Sequence, residues 1–426
     1  MDLAWISVAA LALTILVSCT TRMNPGVLAI ALAWIIAVWI APMLGQPLGI
    51  KSVLAGFPSE LFLTLTGVTL LFAQAQVNGT LNRVAHVAVG CCRGQAGFIP
   101  FVFFALATTL SAIGAGSVAT AALVAPMAMA AAANARIPAF LMAIMVGHGA
   151  VAGGMSPFAM TGIIANGLMD RMNLPGQHWQ TFFHNFAANA FVAVAGYLAF
   201  GGWRLIWRKP EARAFGQNTH VKSESSAGFQ RAHWVTLAAI ALLIIGVLVF
   251  KVHVGLAAFA AAALLTMLGL ADEKETFRAV PWPVILMVCG VTVLTSLLER
   301  TGGIDRVTGL IASVSSPRSL PGVMAFATGV ISVYSSTSGV VLPALLPAVP
   351  GLLERIGGGD PLALASSINI GGNLVDVSPL STIGALCIAC AAASEDRRVL
   401  FNKVLAWGLS MSVVAAVLCT LLFGLK

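Results

Sequence analysis

The chain has 426 residues, of which 59% are hydrophobic and only 9% charged, with a mean hydropathy of +0.94. A soluble domain carries about 25% charged residues, so this composition cannot clothe a water-facing surface. It excludes a soluble enzyme, a secreted disulfide scaffold and a nucleic-acid binder, and the net charge of +8 reads as loop charge that orients spanning helices.

Residues 3–20 are apolar, with Asp2 before them and Arg22 after. A signal peptide has its positive residues first, so this stretch is expected to be an uncleaved span whose N-terminus faces outward. A span needs about 20 apolar residues, and residues 25–44 and 58–78 supply two more. Residues 98–133 are too long for one crossing and carry Gly114, Gly116 and Ser117 at their middle, which fits a re-entrant hairpin. Residues 138–170 read as one crossing broken at Gly153-Gly154-Met155-Ser156-Pro157, and residues 183–207 as the last span of the series. The hydrophilic stretch 208–233 reads as a linker.

The pattern then starts again. Trp5 and Gly26 recur as Trp234 and Gly255 at an offset of 229. Pro58, Gly67-Val68-Thr69, Gly79 and Arg83 recur at 223 as Pro281, Gly290-Val291-Thr292, Gly302 and Arg306. Ser111 and Pro126 recur as Ser332 and Pro347 at 221, and Ser156-Pro157 and Gly162 as Ser378-Pro379 and Gly384 at 222. The expected fold is an all-α membrane protein of two repeats, 1–207 and 234–426, joined by a cytoplasmic linker at 208–233. Five net crossings per repeat is an odd number, so the repeats are expected to be inverted. With the N-terminus outside, the linker face receives 15 of the 23 Lys and Arg residues and the other face 8. The excess of positive residues on cytoplasmic loops then puts both termini outside.

Each half contains two breaks at matching positions. Non-helical backbone at membrane depth is tolerated only against protein or a water-filled cavity, and paired interrupted segments point to a secondary transporter's binding site. Small residues also let helices pack closely, which explains one break more easily than four in register. The substrate-binding candidates are Gly116 and Ser117 at the first hairpin tip and Ser335, Ser336, Thr337 and Ser338 at the second. Ser156, Asn373 and Ser378 at the helix breaks, and His148 just before the first, complete the set. His148 serves equally well as a satisfied packing histidine. Asp376 is the one carboxylate deep in an expected span, and with Asn369, Gly153 and Gly371 it forms the cation-coupling candidate set. Its alternative role is to cap a half-helix. No Lys or Arg falls within the four breaks, so a bound dianion would need a co-bound cation. The seven cysteines sit in or beside apolar stretches and suggest no disulfide framework; the Cys387/Cys390 pair reads as packing.

The paired breaks resemble the ion transporter superfamily, in particular the divalent anion–sodium symporters and the MatC-type dicarboxylate (malonate) carriers, over essentially the whole chain. Each hairpin tip of the symporters carries a Ser-Asn-Thr motif that binds substrate carboxylate and helps form a sodium site. Here the tips read Gly116-Ser117-Val118-Ala119-Thr120-Ala121-Ala122 and Ser335-Ser336-Thr337-Ser338, and the Asn is missing from both. Aligning on Pro347 pairs Ser117 with Ser338, whereas taking Ser335-Ser336-Thr337 as the motif shifts the register by two. The resemblance implies cation-coupled symport of malonate or a C4-dicarboxylate by elevator-type alternating access. It also implies Na+ or H+ as the coupling ion, with Na+ at the hairpin and helix breaks, and no organic cofactor. The protein is then expected as a homodimer among the lipids of a bacterial inner membrane, with no nucleic-acid partner. A sodium/proton antiporter of the same superfamily is the alternative, with Asp376 as its exchange residue. A membrane-embedded enzyme would need paired carboxylates or an HExxH motif, and the sequence has neither in a span.

Overall fold

A computed structural model describes residues 2–21, 23–46, 48–90, 96–174, 176–206, 229–313, 315–392 and 395–424. All elements among them are helical. Among the described residues eight helices are long and apolar enough to cross a membrane, and shorter apolar ones accompany them.

The first series is α1 (Leu3–Thr20), α2 (Pro25–Met43), α3 (Gly49–Ala55), α4 (Ser59–Val77) and α5 (Thr80–Gly90). It continues as α6 (Ile99–Leu110), α7 (Ser117–Asn134), α8 (Ala139–Gly154), α9 (Met160–Arg171) and α10 (His178–Ala199). The second series repeats this order: α11 (Arg231–Phe250), α12 (Val254–Met267), α13 (Glu273–Ala279), α14 (Trp282–Arg300) and α15 (Gly303–Ser313). It closes with α16 (Leu320–Tyr334), α17 (Thr337–Arg355), α18 (Pro361–Leu374), α19 (Thr382–Ala389) and α20 (Arg397–Phe423). Local chemistry sets the boundaries. Asn24 caps α2 by accepting from the Gly26 N–H at 2.9 Å, with Pro25 at the first helical position. Gly79 and Gly302, both with positive φ, end α4 and α14 at matching positions.

Packing between the two series is reciprocal. Gly26 of α2 lies against α14 so closely that a Cβ would collide with the backbone of Leu286 and Met287. Its counterpart Gly255 of α12 lies against α4, where a Cβ would collide with Thr64. Gly290 faces the Gly26 carbonyl as Gly67 faces that of Gly255. Hydrogen bonds follow the same exchange: Ser7 pairs with Thr301 at 2.7 Å, and Asn78 donates to Thr236 at 2.8 Å. The two pairs are equivalent, since Thr236 stands at the offset of 229 from Ser7 and Thr301 at 223 from Asn78. Within each series the glycines of the broken helix admit the hairpin's first helix, Gly149 against Phe104 and Gly371 against Ala325.

The ends of α14 locate the two faces. The Pro283 carbonyl accepts from Asn24 at 2.8 Å, next to the end of α1, whereas Ser296 meets Gly56 just before α4. Thirteen residues of helix separate these contacts by about 20 Å, so α1 ends on one face and α4 begins on the other.

Two features differ from the expectation. Helices α5 and α15 were not anticipated, because Asn82, Arg83 and His86, or Asp305, Arg306 and Thr308, break the apolar run of these amphipathic segments. Helix α10 starts at His178 and ends at Ala199, earlier at both ends than the expected 183–207. Of the expected linker, residues 208–228 lie outside the described residues.

Candidate functional site

The two hairpin tips are built by different means. After α6 the backbone widens into a π-turn at Ser111–Ala115 and then reverses through Gly114 (φ 123°) and Gly116 (φ 80°). Only glycine adopts these angles without strain, and Gly114 lies so close to the Phe72 ring that no side chain would fit. Ser117 then opens α7. The second tip uses no glycine to turn: Ser335 and Ser336 are extended, and Ser336 Oγ caps α17 by accepting from the Gly339 N–H at 3.0 Å.

Both tips reach one cavity of about 370 Å3. Ser117 lines it from the first tip and Ser335, Ser336, Thr337 and Ser338 from the second, with Asp376 beside them. Thr337 Oγ1 donates to Asp376 Oδ1 at 2.8 Å and lies 3.3 Å from the Gly372 carbonyl, which Ser332 Oγ also approaches at 3.2 Å. Ser332 and Thr337 are hydrogen-bonded to each other. Asp376 sits on the 3-10 turn Val375–Val377 that ends α18, and its carbonyl accepts from Ser381 Oγ. It is the one charged residue lining the cavity among the described residues; Arg22, between the lining residues Thr21 and Met23, lies outside them. At the repeat position of Asp376 stands Gly154, where a Cβ would lie 3.4 Å from Ser117 Cβ and 3.7 Å from the Oγ of Ser111 and of Ser117.

The other expected residues sit elsewhere. Ser156 and Ser378 are buried and hold matched turns, accepting from the N–H of Phe158 at 3.3 Å and of Leu380 at 3.2 Å. Asn373 donates to the Asn369 carbonyl at 2.8 Å, and Asn369 is fully buried with no partner for either side-chain amide atom. Gly153 and Gly371 press on α6 and α16, and Gly116 is beside the cavity without lining it. His148 is fully buried away from the cavity, and both its nitrogens are engaged. Trp407 Nε1 donates to His148 Nε2 at 2.9 Å, so His148 Nδ1 donates to Asn189 Oδ1, also at 2.9 Å. Asn189 in turn donates to Asn185, which donates to the Val151 carbonyl at 3.1 Å. This network ties α8 to α10 and α20.

Sequence reasoning missed Ser18, whose Oγ meets Ser335 Oγ at 2.8 Å and brings the end of α1 to the second tip. It has no polar repeat counterpart, since Val247 stands there. Ser332 and Ser381 were also missed, although Ser332 stood out as the repeat of Ser111. Among the described residues no group of three or more His, Cys, Asp or Glu side chains gathers as a metal site. The oxygen-rich corner of Asp376, Thr337 and the Gly372 carbonyl has the donor type of a hard monovalent cation instead.

Residues 1–154 match the family model of the dicarboxylate carrier protein MatC N-terminus, and residues 248–425 match that of citrate transporter. No curated protein matches the chain. Among solved structures, the Alcanivorax borkumensis YdaH transporter, whose crystal structure is described as revealing an unusual topology, resembles it with a TM-score of 0.56 at 15% identity. The likeness covers 98% of this chain and 97% of that one. The all-helical fold and the two family matches define a multi-pass membrane protein of the secondary-transporter class. Both halves thus carry the resemblance to the ion transporter superfamily that the paired breaks suggest.

Proposed function

We propose that the protein is a cation-coupled symporter of small dicarboxylates, of the size of malonate or a C4-dicarboxylate, working as two inverted repeats by an elevator-type movement. The observation that carries this reading is the single cavity reached by both hairpin tips, rich in hydroxyls and holding one carboxylate and no described cation. Hydroxyls and the N-terminal ends of α7 and α17 suit an anion. A dianion beside Asp376 is stable only with a positive charge between them, supplied by Na+ or H+. The match to the dicarboxylate carrier model supports the substrate class, and that to the citrate transporter model makes citrate a useful competitor. The reciprocal glycine contacts of α2 with α14 and α12 with α4 support the repeat relation. We place the protein in a bacterial inner membrane as a homodimer, termini outside.

Radiolabelled malonate, succinate and citrate uptake into proteoliposomes, under separate sodium and proton gradients, tests the reading. Accumulation of a dicarboxylate driven by one gradient is the expected result. Sodium/proton exchange without carboxylate uptake would favour an antiporter instead.

A further inference from the structure

The central cavity is not walled by the hairpins and broken helices alone. Ser18 and Thr21 at the end of α1, and Met23 and Pro25 where α2 begins, line it as well. At its other end α1 is bound to the second series: Ser7 pairs with Thr301, and Leu3 and Leu11 share an apolar cluster with Leu294, Leu297 and Leu298. The hydroxyls of this helix mostly turn back on it, as hydroxyls in helices do. Ser7, Thr14 and Thr20 donate to carbonyls three or four residues before them, and Thr21, just past the helix, donates to Val17. Ser18 makes no such bond. Its one described partner is Ser335 Oγ, 2.8 Å away on the second tip.

The hydroxyls of that tip are engaged differently from one another. Ser336 accepts from the Gly339 N–H, Thr337 donates to Asp376, and Ser335 meets Ser18. A hydroxyl has one proton to donate and two lone pairs to accept with. If Ser335 donates to Ser18, it turns only lone pairs to the cavity, and lone pairs repel an anion. If Ser18 donates to Ser335, the Ser335 proton is left for a carboxylate in the cavity. A hydroxyl that accepts one hydrogen bond also donates a stronger one, since successive bonds polarise each other. An anion in the cavity therefore selects Ser18 as the donor.

We propose that Ser18 is a positioning residue for the substrate: it donates to Ser335 Oγ and so aims the Ser335 proton at a carboxylate group bound in the central cavity. The proposal rests on the dicarboxylate reading for its ligand class. The relay belongs to the second tip alone. The repeat counterparts of Ser18 and Ser335, at the offsets of 229 and 221, are Val247 and Gly114, and neither carries a hydroxyl.

Equilibrium binding of radiolabelled succinate, malonate and citrate to the purified full chain tests it. Ser18→Ala should weaken binding about fivefold, the contribution of about one hydrogen bond. Ser18→Cys, close in size but a weak donor, should behave like Ser18→Ala, whereas Ser18→Thr, which keeps the donor, should bind like the parent. Ser335→Ala should weaken binding at least as much as Ser18→Ala. Adding Ser18→Ala to Ser335→Ala should then cost nothing further, because the hydroxyl through which Ser18 acts is already gone. Undiminished binding by Ser18→Ala, or losses that add in the double variant, would overturn the proposal and leave the dicarboxylate reading standing. A parent chain that binds none of the three carboxylates would sink that reading and the relay with it.

Discussion

The two hairpin tips occupy equivalent positions and solve the same turn differently. The first relies on glycine conformations at Gly114 and Gly116 and presents one lining hydroxyl, Ser117. The second is a run of four hydroxyl residues, capped by Ser336 and anchored to Asp376 through Thr337. Behind them, Ser332 is bonded to Thr337 and the Gly372 carbonyl, whereas its repeat partner Ser111 is buried with no partner for its Oγ. The two series thus share their backbone breaks while their polar chemistry differs. On the proposed symport reading, the difference lets anion binding draw on both tips and puts the one carboxylate available for charge coupling at the second.

The largest expected effect follows from that asymmetry. Asp376→Asn keeps size and hydrogen bonding but removes the charge, so gradient-driven accumulation in proteoliposomes should fall to the level of protein-free vesicles. Accumulation like the parent's would reduce Asp376 to a helix-breaking turn residue. Ser117→Leu should block uptake while leaving the melting profile intact, because it fills a cavity and not a packed core; normal uptake would remove the first tip from the site.

The shared backbone can be probed with glycines. Gly149→Val and Gly371→Val each force a side chain into the hairpin's first helix and should destabilise by about 1–3 kcal/mol, read as a lower thermal midpoint. A large difference between them would mean the two halves do not pack alike. Ser336→Ala loses the cap on α17 and should cost about 1 kcal/mol, with no matching loss at the first tip for Ser117→Ala, whose hydroxyl caps nothing.

The smallest effect is at the protein's edge. Arg306 donates to Asp2 at 2.9 Å and holds its carboxyl below the usual range, chiefly through that hydrogen bond. A depressed carboxyl pKa stabilises above the unfolded-state value, and the contribution is lost as pH falls through the folded one. Acid sensitivity of the thermal midpoint below about pH 4 should therefore lessen slightly in Arg306→Gln, and an unchanged acid limb would show the exposed pair to be energetically silent.

Much of the framework was legible in the sequence because spanning helices must be apolar and because the second half repeats the breaks of the first. Gly26 and Gly255 were legible only as a repeated pair, and the structure adds that each sits in a close helix contact; both hairpin tips fell where Gly114–Ser117 and Ser335–Ser338 interrupt apolar runs. Helices α5 and α15 escaped because their polar residues lower hydropathy to that of a loop. At the site, residue type alone does not tell a lining hydroxyl or imidazole from one with a local partner: Ser156 and Ser378 serve turns, and His148, for which the sequence left both roles open, is held by Trp407 and Asn189. Ser18 escaped for a different reason. It is a polar residue with an apolar counterpart in the other half, Val247, so repeat matching passed over it.

The most direct test asks whether the two tips share one ligand. Ser117→Cys and Ser338→Cys, made separately, should each be alkylated by a small thiol reagent, as read by mass spectrometry of the tip peptides. A dicarboxylate that is transported should protect both positions over the same concentration range, and a monocarboxylate of similar size should protect neither. Protection of only one tip, or of neither at concentrations that saturate uptake, would contradict a substrate site built from both.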